Sequence, residues 1–320
     1  MGIVTRPADI LSRRNFARML GCAVALCPAC ADPHDLLGLL AANPAPSAGL
    51  DVERRYRADA HVLLFGVPVL HRQAVGEGRV VWRESAASGT ARFLEFSAFS
   101  VPARAAGVNR MGFIREIART GQSGGECIYF GLMTASPEES AAAAREALHT
   151  TAKEQAFTAI DGRIGAGQTE TAIAHFTAPA SLSGGCTTEV LELARHALAS
   201  ARTVAVAETG HEYASSFLQC LAGLLMRPER AEGSYIYSGR RYRLQLSRSR
   251  DAKASAYFSD CGLIRGQEAV IRVSGQARRE AGDLAAEFRL WVVNGAKRPL
   301  PLRIDYRAKS YLRLVFEVVA

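Results

Sequence analysis

The run "YIYSGRRYRLQL", Tyr235–Leu246, reads as two strands folded back on each other at Ser238-Gly239. Tyr242, Leu244 and Leu246 alternate with Arg243, Gln245 and Ser247, the period of a strand with one apolar and one wet face. The pattern persists downstream. Ala286, Phe288, Leu290 and Val292 alternate with Glu287, Arg289 and Trp291, and Leu300, Leu302, Ile304 and Tyr306 alternate with Arg303, Asp305 and Arg307. Leu312, Leu314 and Phe316 then alternate with Arg313 and Glu317. Asn294-Gly295 supplies a second hairpin signal. Such a series specifies an antiparallel sheet with one packed face.

Working back from this region, strands are expected over Tyr56–Leu64, Val69–Gln73, Arg79–Arg83, Phe93–Phe99 and Cys127–Met133, with a turn near Gly76-Glu77-Gly78. A short helix is expected around Met111–Ala118, and a hairpin around Asp161-Gly162. Ser136-Pro137-Glu138-Glu139 forms a capping box for an Ala-rich helix reaching His149. Val190, Leu193, Ala194, Ala197 and Leu198 make one helical stripe, and Phe217, Cys220, Leu221, Leu224 and Leu225 another, stopped where Arg227 precedes Pro228. The expected fold is α+β: a large antiparallel curved sheet or half-barrel with two or three packed helices.

The amino terminus carries a different message. Ser12-Arg13-Arg14-Asn15-Phe16 resembles the twin-arginine export motif, and the apolar run Met19–Leu26 is too short to span a bilayer. Ala29-Cys30-Ala31 offers the small residues of a cleavage site. Cys27 and Cys30 then lie in a segment to be removed, which argues against a redox role for their Cys-x-x-C spacing. The organisation expected is a signal peptide over 1–31, a tether over 32–50 and one β-rich domain over 51–320. Subdivisions at 51–180 and 231–320 would be bridged by helices within 186–227. The partner in transit is the twin-arginine translocase, and the destination is the periplasm, with or without membrane association. Four cysteines remain, Cys127, Cys186, Cys220 and Cys261, either as disulfides or as buried thiols.

The whole chain is formally +8, and its charge is uneven: residues 231–320 hold 17 basic and 9 acidic residues. A basic quarter suits anionic lipid or an envelope polyanion, or it is only a solvated strand face; export disfavours nucleic acid. In the expected sheet, Leu302, Ile304, Leu312, Leu314 and Phe316 face an apolar interior that would hold a greasy ligand. Arg303, Arg307 and Arg313 lie on the opposite face as a basic strip for an anionic membrane surface.

The runs "YIYSGRRYRLQL", "FRLWVV" (Phe288–Val293) and "LPLRIDY" (Leu300–Tyr306) resemble a bacterial exported family described only as a domain of unknown function. The resemblance spans about residues 232–318. It implies an antiparallel, barrel-like sheet in the envelope and brings no catalytic residues.

No persuasive catalytic set emerges. Gly121-Gln122-Ser123-Gly124-Gly125 has the G-x-S-x-G spacing without the strand-to-helix setting of a nucleophile elbow. Gly162-x-x-Gly165-x-Gly167 lacks the lysine and setting of a phosphate loop. His211-Glu212 has Ser215 where a zinc motif needs its second histidine. Metal and cofactor are therefore both expected to be none. The expectation is a non-catalytic envelope protein binding or carrying an apolar or lipid-like ligand. A hydrolase with a scattered site and a structural envelope partner are the alternatives.

Overall fold

The computed structural model describes residues 52–64, 67–85, 91–105, 108–121, 124–135, 154–165, 168–184, 188–207, 215–265 and 268–319. The expected export segment with Arg13 and Arg14, the expected tether, the helix expected over 136–149, Cys186 and His211-Glu212 lie outside the described residues.

Fourteen strands form one antiparallel sheet: β1 (Val52–Leu64), β2 (Val67–Ser85), β3 (Ala91–Ser100), β4 (Met111–Gly121), β5 (Gly124–Thr134), β6 (Glu154–Gly165), β7 (Gln168–Pro179), β8 (Thr203–Ala207), β9 (Glu232–Tyr237), β10 (Arg240–Arg250), β11 (Val270–Arg279), β12 (Leu284–Val293), β13 (Arg303–Lys309) and β14 (Leu312–Val318). The order is β8 through β1, then β14 through β9, so the first and last strands pair at the centre and β8 and β9 are the edges. The sheet is open, and it curls strongly. β9 stands ten positions from β5 in the order, about 48 Å apart if the sheet were flat. Yet the rings of Tyr237 and Tyr129 are 5.4 Å apart. Edge strand β9 therefore packs face-on inside β5 and β6 rather than pairing with β8. Its free edge is covered by Ser215, whose carbonyl accepts from the Ile236 amide at 2.8 Å.

Close approach inside the curl depends on missing side chains. The Tyr129 ring lies across Gly162, where a Cβ would come within 2.2 Å of Cζ, and its hydroxyl reaches Thr171 Oγ1 at 2.7 Å. Phe288 lies across its cross-strand partner Gly275 in the same way. The main core joins Tyr129, Ile160 and Ile164 to Tyr235, Tyr242, Leu244, Leu246, Val273, Leu290 and Val292.

Three α-helices are described. α1 (Thr188–Ala199) buries Val190, Ala194 and Leu198 against Phe113, Phe130 and Phe157 on the outer face. α2 (Phe217–Met226) sits inside the curl, with Ala222 and Leu218 against Trp82 and Leu94 and Cys220 and Leu224 in the main core. α3 (Ala252–Asp260) anchors Phe258 on Trp291, Val270 and Leu302, and Asp251 caps it by accepting from the Ala254 amide.

Several local expectations are corrected. Met111–Ala118 is strand β4, because both of its faces are packed and the polar alternation of a half-wet strand is missing. Asp161-Gly162 lies mid-strand, and the reversal falls between Gly165 and Gln168. Val69–Gln73 and Arg79–Arg83 belong to one continuous strand, β2. Asn294-Gly295 turns the chain, with Gly295 at φ +71°, but leads into the longer link 294–302. At Ser238-Gly239 both residues take positive φ, 53° and 66°, as the hairpin requires. Gly121 ends β4 and Gly124 opens its antiparallel partner β5, the opposite of a strand-to-helix elbow, while Gln122 and Ser123 lie outside the described residues.

Candidate ligand face and basic surface

Strand register decides which side chains share a face. Ile304 lies opposite Phe316, Tyr306 opposite Leu314, Leu314 opposite Ala60 and Leu312 opposite Val62. Phe316 packs with Tyr56 and Ala58, above Gly78 and edge-on to Phe96 at 5.9 Å between ring centres. Phe316 is buried, whereas Ile304, Leu312, Leu314, Val62, Phe96 and Ala98 are only half-buried. The concave side of β13, β14, β1 and β3 thus carries a continuous apolar strip that solvent still reaches. Leu302 is separate: it sits just before β13, is 1% exposed, and packs with Phe258 and Trp291 beneath α3.

Arg303 and Arg313 are on the outer face with Arg289 and Lys253, lining a cleft of about 340 Å³ between α3 and the sheet. Arg303 stacks 5.0 Å from the centre of the Trp291 ring. Arg313 clamps the buried Asp305, with Nε donating to Oδ1 at 2.6 Å and Nη2 to Oδ2. Asp251 accepts from Trp291 Nε1 at 2.9 Å, and this bond, with the Ala254 amide, holds its carboxyl below the usual range. Arg307 is outside the cleft: it is exposed, and its Nη2 donates to the Ser310 carbonyl at 3.0 Å. Strand pairing therefore gathers two of the three arginines with Arg289, and helix α3 adds Lys253; the expected strip included neither of these additions.

A polar cluster missed by sequence reasoning lies at the start of α2. Glu116 on β4 is fully buried and accepts from the Leu218 amide (2.9 Å), the Gln219 amide (2.8 Å) and the Ser216 hydroxyl. Burial outweighs these donors and lifts its carboxyl to about 7. Cys127 Sγ is 2.8 Å from Ser216 Oγ, and burial pushes its thiol up to about 12. A protonated thiol sealed from solvent is no nucleophile. The cluster instead docks a helix N-terminus, supplying the partners its amides need. Arg92 Nε extends it by donating to Gln219 Oε1 at 2.6 Å. No group of three His, Cys, Asp or Glu that could hold a metal occurs among the described residues.

These features define an open, curled antiparallel sheet protein with a half-open apolar concave face and a basic outer cleft. No protein-family model matches the chain, and no curated protein does. A crystal structure of a beta-barrel-like protein of a domain of unknown function from Brucella abortus is similar to it, with 9% identity, coverage of 84% of this chain and 96% of that one, and a TM-score of 0.37.

Proposed function

We propose that this chain is an exported, non-catalytic envelope protein that binds or carries an apolar or lipid-like ligand along its concave face. The observation that carries the reading is the half-buried strip of Ile304, Leu312, Leu314, Val62 and Phe96. A packed core would seal such side chains, and a surface kept only for solvation would interrupt them with charge. The acyl chain of a lipid or fatty acid matches a strip of this chemistry, which offers contact area and few polar anchors.

The test is titration of the lipid-stripped protein with a fluorescent long-chain fatty acid. Saturable binding should weaken by about tenfold or more in Leu314→Asp, equivalent to roughly 1.4 kcal/mol, provided circular dichroism shows both proteins folded. Equal affinity in the folded variant would remove the concave face from the reading. Export rests on Arg13 and Arg14, and changing both to lysine should leave precursor in the cytoplasm. Unchanged delivery beyond the inner membrane would rule out the twin-arginine route.

A further inference from the structure

Two hairpins end side by side at one end of the sheet. β1 turns into β2 after Leu64, β13 turns into β14 after Lys309, and the Leu63 amide donates to the Tyr311 carbonyl at 2.7 Å, tying the turns together. β3 pairs with β2 only from Gly76 onward, so the start of β2 projects with β1 as its paired neighbour. Every residue from Val67 to Gln73 is exposed, including Val67 at 62%, Val69 at 58% and Leu70 at 48%. Such a cluster at a projecting tip lowers the solubility of the protein unless something apolar receives it.

Behind the tip the chemistry changes abruptly. Arg72 lies opposite Ala60, His71 opposite His61, His61 opposite Arg313, and Arg313 opposite Arg307. Lys309 lies opposite Leu312. The segments 60–73 and 306–314 contain these four cationic residues and two histidines, and no carboxylate. Asp305 and Asp59, one step further from the tip, hold Arg313 and His71. Arg72 and Arg307 are exposed. An apolar point inside a collar of positive charge is complementary to one kind of surface, an acyl interior beneath anionic headgroups.

We propose that the paired tips of β1–β2 and β13–β14 insert into the interface of an anionic bilayer, with Val67, Val69 and Leu70 entering the acyl boundary and Arg72, Arg307 and Lys309 meeting the headgroups. Insertion here also orients the molecule. Leu70 lies opposite Val62, and Val62 opposite Leu312, so the apolar strip of the concave face runs directly into the tip. An acyl chain would pass between bilayer and strip without crossing water. The insertion itself does not depend on the strip being occupied.

The experiment is co-sedimentation of the purified protein with phosphatidylcholine vesicles with and without phosphatidylglycerol, at low and high salt. Wild type should bind the anionic vesicles and lose most binding at high salt. The exposed-site variant Val67→Ser/Val69→Ser/Leu70→Ser should bind anionic vesicles about tenfold more weakly at every salt, in keeping with interfacial affinity that scales with buried apolar area. Arg72→Gln/Arg307→Gln/Lys309→Gln should lose the preference for phosphatidylglycerol while keeping the weak salt-independent part. A tryptophan placed by Val69→Trp should shift its emission to the blue on vesicle addition. Undiminished binding of the serine variant, or an unshifted tryptophan, overturns the proposal. So does concentration-dependent self-association that the serine variant abolishes, because the tip would then be an interface between copies of this chain. Fatty-acid titration of the serine variant separates the two readings: unaltered affinity leaves the concave face intact while membrane binding alone is lost.

Discussion

At Gly162 the missing side chain is a packing requirement. Tyr129 occupies the space a Cβ would need, 2.2 Å from Cζ, and from there reaches both Thr171 and Tyr237. Gly162→Ala should push the ring aside, break its hydrogen bond and loosen the contact between β5 and β9, at a cost of about 1–3 kcal/mol. Gly165→Ala, three residues on, meets nothing within 4 Å and serves as the control. Denaturant melts of both variants decide the matter, and equal midpoints would contradict the packing described. This site was only partly legible in the sequence. Asp161-Gly162 has the composition of a turn, and nothing local reveals that a tyrosine more than thirty positions upstream claims the glycine's space. Glu116 was hidden for a similar reason. Its partners Ser216, Leu218 and Gln219 lie about a hundred residues away, and a single carboxylate in "FIREIA" carries no signal of the helix it holds.

Among the elements, α2 is the one whose docking depends on a titrating group. Glu116 is raised in the folded state from the ordinary 4.5 to about 7, so its contribution to stability is full below about 4.5 and is lost as pH rises through about 7. The physical cause is burial: the ionised carboxylate must be held without water by Ser216 and two amides. Glu116→Gln removes the titration. The melting temperature of wild type should fall relative to that of the variant between pH 5 and pH 8, whereas parallel pH profiles would show that Glu116 does not govern α2. Element by element, legibility followed wetting. β10, β12, β13 and β14 alternate because one face meets solvent, so their strand character was legible, and Ser238-Gly239 marked the hairpin that pairs β9 with β10. β4, packed on both faces, shows no such alternation and reads as a helix. α3 was invisible because Phe258 is its one buried residue, and a nine-residue helix with a single anchor leaves no stripe.

On the scale of the molecule, pairing β1 with β14 turns a meander into one continuous wall, and curling tucks β9 inside β5 and β6. The curl separates a sealed half, filled by α2 and the tyrosines, from a half where the concave strip meets solvent. The strip's face could be read from sequence, since alternation assigns Ile304, Leu312, Leu314 and Phe316 to one side. Its depth could not, because burial depends on what the far strands and α2 cover. Leu302 shows the limit of alternation: it has the right parity but precedes the strand and turns under α3. The arginines divide in the same way, with Arg303 and Arg313 in the outer cleft and Arg307 at the tip.

The central claim is that the open half holds an apolar ligand, and native mass spectrometry of the full-length protein purified gently without detergent tests it most directly. The account predicts an adduct that organic extraction identifies as an acyl-chain compound, present on wild type and missing from folded Leu314→Asp. Wild-type protein that arrives without any adduct and takes up none from added lipid would contradict it.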